Sequence, residues 1–115
     1  MADIKSITKR LIAFRDARNW SQFHNPKDCA LSLSLEAAEV LEHFQWKNGE
    51  ELSQYVRDNK DEIGDELIDV LYWVLLMSHD LDIDIESAFE RKMVKNEAKY
   101  PVEKASGKHT KYSDL

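Results

Sequence analysis

Two short patterns carry carboxylates at the same spacing: Glu36-x-x-Glu39 in "SLEAAEVLEHFQWK" and Glu66-x-x-Asp69 in "DEIGDELIDVLYW". At about 100° per residue, Ser32, Glu36, Glu39 and His43 share an arc roughly 60° wide on one helix. Glu62, Glu66, Asp69 and Trp73 share a similar arc on another. Glu42 and Asp65 fall off these arcs. An acidic pair three residues apart is ordinarily a solvated helix face. Here the residues four beyond Glu36, Glu39, Glu66 and Asp69 are Val40, His43, Val70 and Trp73, so no Lys or Arg relieves either stripe. If the stripes face each other, four carboxylates meet, and each close contact costs ~1–4 kcal/mol. A divalent cation offsets that repulsion, and an all-oxygen ligand set selects a hard ion such as Mg²⁺ or Mn²⁺.

Other metal chemistries fit less well. A di-iron carboxylate bundle wants Glu-x-x-His on two helices. Here His43 follows Glu39 by four, and His79 lies beyond the acidic residues. Zinc lacks a Cys/His cluster. With neither a G-x-x-x-x-G-K-[ST] nor a G-x-G-x-x-G loop, phosphate binding must rely on metal and side chains.

The elements that position these residues are helical. Ile4, Ile7, Leu11 and Phe14 step by three and four, marking a first helix from about Asp3 to Arg18. "NWSQFHNPKD" breaks the pattern, and Asn25-Pro26 favours a turn before the next helix. That second helix is expected from about Lys27 to Lys47, ending near Asn48-Gly49, with Leu33, Ala37, Leu41 and Phe44 facing a core. "EELSQYVRD" reads as a short helical connector. A third helix covers about Asn59–His79, with Ile63, Leu67, Val70 and Val74 as its core stripe. "DLDID" interrupts it, and a fourth helix spans about Ile85 to Lys99, ended by Pro101. The expected architecture is an all-α bundle of four to five helices in one domain, 1–115, with 101–115 a poorly structured tail.

The run "VLYWVLLM", Val70–Met77, is apolar on every side. A small monomer covers one face of a helix and rarely all of them, so a homo-oligomer is expected. The same run is far shorter than the ~20 residues that cross a bilayer. The 115 residues suit one domain, and three Gly with two Pro suit long helices. A net charge of −6 disfavours a general nucleic-acid binder, which needs surplus Lys and Arg. Cys29 is the one cysteine, which excludes an intrachain disulfide and suits a reducing compartment. No basic-then-apolar leader precedes the first helix. These features describe a soluble, cytoplasmic protein with no membrane partner.

An E-x-x-E followed about thirty residues later by E-x-x-D on the next helix resembles the MazG-like all-α nucleoside triphosphate pyrophosphatases. Further stretches are similar to their dCTP pyrophosphatase branch: "RNWSQFHNP" at 18–26, "DELIDVL" at 65–71, "KMVKNEAKYP" at 92–101 and "GKHTKYSDL" at 107–115. The resemblance covers nearly the whole chain. It implies a Mg²⁺-dependent tetramer that hydrolyses a nucleoside triphosphate between its α and β phosphates, in nucleotide-pool cleaning. It also implies that Glu36, Glu39, Glu66 and Asp69 hold the metal and are catalytic. The carboxylate that takes the water's proton is left open among the four, with Glu39 favoured.

The same resemblance places His24 near the nucleoside, with Trp20 and Trp46 walling the base. It makes Lys92, Asn96 and Tyr100 phosphate and sugar contacts, and their spacing of four puts them on one helix face. Lys111 and Tyr112 are implied to close over the triphosphate. Trp73 stands where the family usually has tyrosine, with Tyr72 beside it, a change that resizes the pocket and leaves the dCTP preference open. The rival readings are a broad-specificity (d)NTP pyrophosphatase and a non-enzymatic helical oligomerisation or adaptor domain with solvated acidic stripes.

Overall fold

The computed structural model describes residues 2–115. Among them every regular element is helical, as the spacing predicts. Helix α1 (Ile4–Ala17) starts at Asp3, whose carboxylate accepts from the Ser6 amide at 2.8 Å while Ser6 Oγ accepts from the Asp3 amide at 2.9 Å. This reciprocal cap satisfies two donors that a helix start leaves orphaned. A single 3-10 turn, Trp20–Phe23, follows. Helix α2 (Pro26–Phe44) has Pro26 in its first turn and Asn25 as its cap, Asn25 Oδ1 accepting from the Asp28 amide at 2.8 Å.

Helix α2 ends about one turn earlier than its apolar pattern suggests, because Trp46 takes a left-handed backbone at φ 70°. Gly49, also left-handed at φ 55°, opens α3 (Gly49–Asp58). Helix α4 (Lys60–Asp80) follows almost directly, and α5 (Ile85–Lys99) keeps its expected bounds. Within 101–115 lie one helical turn, α6 (Val102–Ala105), and a 3-10 turn at Tyr112–Asp114.

The chain divides into two compact units, one ending at Asp82 and the other Ile83–Leu115. In the first, α2 packs chiefly on α4, and α1 also rests on α4. Its fully buried apolar side chains are Cys29, Leu75 and Leu76. The core stripes expected from helical phase are a correction. Leu41 is 59% exposed and Leu67 52%, and Ala37 and Val74 are exposed too. Helices α2 and α4 turn their acidic arcs toward each other, which leaves Leu33, Phe44, Ile63 and Val70 half-buried and Leu41 and Leu67 on the surface. In the all-apolar run, only Leu75 and Leu76 are fully buried.

In the second unit, Lys92 and Asn96 lie on α5 and Tyr100 is its C-terminal cap, its amide donating to the Asn96 carbonyl at 2.8 Å. Tyr100 meets Tyr112 edge-on with ring centroids 6.1 Å apart, and Lys99 Nζ lies 4.6 Å from the Tyr112 ring centroid. No helix among the described residues is long and apolar enough to cross a membrane.

Candidate active site

The two acidic arcs meet. One carboxylate oxygen each from Glu36, Glu39 and Glu66 lies within 4.8 Å of the others. Glu36 Oε2 and Glu66 Oε2 are buried and have no hydrogen-bond partner among the described residues. A buried carboxylate oxygen without a partner is costly unless something positive is there to meet it. Glu39 is exposed, whereas Glu36 and Glu66 are half-buried.

Asp69 stands beside this trio. It is exposed, and its charge acts on both Glu36 and Glu66. Glu62, on the same projected arc, is exposed and outside the trio. Burial first, and then the neighbouring Glu39, Asp69 and Glu66 carboxylates, push the Glu36 carboxyl up to about 7. Burial and the Glu39 and Asp69 carboxylates also raise Glu66, while His43 works in the opposite direction. Carboxylates this crowded resist ionising together, and a divalent cation among them would relieve that repulsion. Donor type, spacing and orphaned oxygens all fit a hard divalent ion.

A cavity of about 390 Å³ adjoins the carboxylates, lined by Leu11, Phe14, Trp20, His24, Glu36, Asp69, Tyr72 and Trp73. It joins apolar and aromatic walls to two acidic groups at one edge, the composition expected of a pocket for a flat heterocycle tethered to an anion. His24 and Trp73 meet edge-on at 5.3 Å, and Tyr72 meets Trp73 edge-on at 5.0 Å. Phe14 and Trp20 form a third such pair at 5.7 Å, with the Arg18 guanidinium 3.8 Å over the Phe14 ring. His24 Nδ1 is buried without a partner, and burial, reinforced by Arg15, lowers the ring's proton affinity despite Asp80. The imidazole therefore favours its neutral form.

Of the residues singled out in the sequence, the first unit brings together Glu36, Glu39, Glu66 and Asp69 with Trp20, His24 and Trp73. Trp46 is 88% exposed and does not line this cavity. Lys92, Asn96, Tyr100, Lys111 and Tyr112 belong to the second unit. Sequence reasoning missed Leu11 and Phe14 as cavity walls, because their helical period read as ordinary core. It also missed Arg15 and Asp80, 65 residues apart, whose pairing no local pattern announces.

The MazG-like family profile matches residues 31–115. The dCTP pyrophosphatase 1 of Rattus norvegicus is 32% identical over 114 residues, covering 97% of this chain and 67% of that protein. The Homo sapiens dCTP pyrophosphatase 1 gives the same identity and coverage. The crystal structure of a pyrophosphatase from Archaeoglobus fulgidus superposes with a TM-score of 0.81 at 38% identity, covering 88% of this chain and 94% of that one. The matched region contains all four acidic residues that converge between α2 and α4, and this chain belongs to the MazG-like family.

Proposed function

We propose that the chain is a Mg²⁺-dependent nucleoside triphosphate pyrophosphohydrolase that cleaves dCTP or a modified dCTP to the monophosphate and pyrophosphate. The observation that carries this reading is the junction of Glu36, Glu39 and Glu66 with an aromatic cavity edged by Glu36 and Asp69. The names of the curated relatives support a dCTP-like substrate. In the cell the activity would clear unwanted nucleotides from the cytoplasmic pool, and the free, buried Cys29 suits that reducing setting.

When bound, Mg²⁺ or Mn²⁺ would neutralise the triphosphate and polarise its α-phosphorus. Glu36, Glu39 and Glu66, with Asp69 beside them, would hold the ion. Glu39, the exposed member of the trio, would also accept the proton of the attacking water. His24, Trp20, Tyr72 and Trp73 would receive the base, with the neutral imidazole contributing hydrogen bonds without adding charge. Lys92, Asn96 and Tyr100, with Lys111 and Tyr112, are proposed to contact phosphates and sugar, and both units together to form the catalytic domain. The exposed Leu41 and Leu67 stripes support a homo-oligomer, a tetramer in our reading.

Product identity tests the chemistry. With dCTP and Mg²⁺ the expected products are dCMP and pyrophosphate; dCDP and orthophosphate would overturn the assignment. Comparing kcat/KM over the eight standard nucleotides tests the base preference. Flat values would support the broad-specificity reading, which Tyr72 and Trp73 in the cavity wall favour. Light scattering of the purified chain tests the tetramer.

A further inference from the structure

The substrate pocket and the carboxylates leave one group of polar side chains unused. His43 follows Glu39 by one turn on the same face of α2 and is half-buried. Its Nδ1 lies 2.6 Å from the Tyr55 hydroxyl of α3, with the rings 5.9 Å apart and inclined by 47°. Tyr55 is itself held, since Lys47 Nζ sits 4.3 Å from its ring centroid. His43 is close enough to the metal cluster for its charge to act on Glu66.

Order along the helices shows what this group can serve. Glu36 and Asp69 share one edge of the cavity while His43, one turn beyond Glu39, acts on Glu66, the order that α2 and α4 give when they run antiparallel. Glu36, Asp69, Tyr72 and Trp73 line the aromatic cavity, which therefore lies toward the start of α2 and the end of α4. His43 lies toward the opposite end, about 6 Å beyond Glu39 along the α2 axis, with Tyr55 of α3 against it. A nucleotide whose base fills the cavity and whose α-phosphate reaches the carboxylates, extended along α2, carries its β and γ phosphates toward that end.

Proton placement suits the role. When the Tyr55 hydroxyl donates to His43 Nδ1, the imidazole carries its proton on Nε2 and offers a donor. A protonated ring offers the same donor with a charge, and a fixed N–H opposite a phosphate oxygen is a strong contact. We propose that His43, oriented by Tyr55, binds the β,γ end of the triphosphate and holds the leaving pyrophosphate. This rests on the hydrolase reading and assigns an added contact within it.

Titration calorimetry of pyrophosphate, and separately of dCMP, into the protein with saturating Mg²⁺ reads the contact without turnover. His43→Ala should weaken pyrophosphate about tenfold or more, and Tyr55→Phe about threefold or more, while dCMP affinity changes less than about twofold. Tyr55→Phe keeps the ring beneath Lys47 and removes only the hydroxyl, so it carries the test if His43→Ala does not fold. Pyrophosphate affinity within about twofold of wild type in a folded variant overturns the inference, as does an equal loss for dCMP. If the wild-type chain hydrolyses no triphosphate, the hydrolase reading fails first. If it does hydrolyse and the variants bind pyrophosphate normally, only the His43 assignment falls.

Discussion

Arg15 Nη1 donates to Asp80 Oδ2 at 2.7 Å, tying α1 to the last turn of α4 beneath the wall that holds His24. Arg15 is 4% exposed, and both residues line a second cavity of about 310 Å³ with His24 and Cys29. Burial alone would raise Asp80, but the Arg15 and His79 contacts outweigh it and hold the carboxyl below its usual range. Removing the acid leaves the buried guanidinium only its longer 3.4 Å contact with the exposed Asp16 carboxylate. Asp80→Ala should therefore lower unfolding free energy by ~2–4 kcal/mol, measured by urea denaturation. Arg15→Met, which leaves no buried cation behind, should cost less. An Asp80→Ala loss under ~1 kcal/mol would show the pair to be structurally idle.

The carboxylate trio should oppose folding without metal and favour binding of a divalent cation. Glu36→Gln and Glu66→Gln should leave the metal-free melting temperature unchanged or higher, since each removes a repelling charge. Both should lower turnover by about 100-fold or more and weaken Mg²⁺. Calorimetry with Mg²⁺ and assays at saturating metal check this together. Destabilised variants with intact turnover would match solvated acidic stripes instead.

The metal-free protein should lose stability as pH rises. Glu36 titrates near 7 in the fold against an ordinary value of 4.5, so the folded chain holds more proton than the unfolded chain between those limits. The stabilisation is complete below about 4.5 and is lost as pH passes through about 7. Added Mg²⁺ should reverse the trend, because binding requires the ionised form. Thermal melts from pH 5 to 8, with and without Mg²⁺, read both slopes. Parallel curves would disprove the linkage.

Trp73 and His24 should affect substrate more than metal. Trp73→Ala removes an aromatic wall of the cavity and should raise KM for the preferred nucleotide by about 10–100-fold. Mg²⁺ affinity should stay within about twofold, because neither side chain is a proposed ligand. Trp73→Tyr should retain activity and shift the ranking of bases. A large change in Mg²⁺ affinity in either variant would place the ring in the metal site.

Several features were legible in the sequence because they rest on local rules. The 3.6-residue period and the Asn25-Pro26 break marked the helices to within a turn or so. Glu36, Glu39, Glu66 and Asp69 stood out because their arcs lack the usual compensating bases. Other features needed the folded chain. Which face of α2 meets α4 depends on how two helices pack, and a helical projection cannot choose between an acidic arc and a leucine stripe. The tertiary structure chose the arc, buried one oxygen each of Glu36 and Glu66, and left Leu41 and Leu67 at the surface. It also joined Arg15 to Asp80 and His43 to Tyr55, contacts set by where helices cross. The sequence by itself determined which residues could bind a cation; only the packing of α2 on α4 brought three of them within reach of one ion.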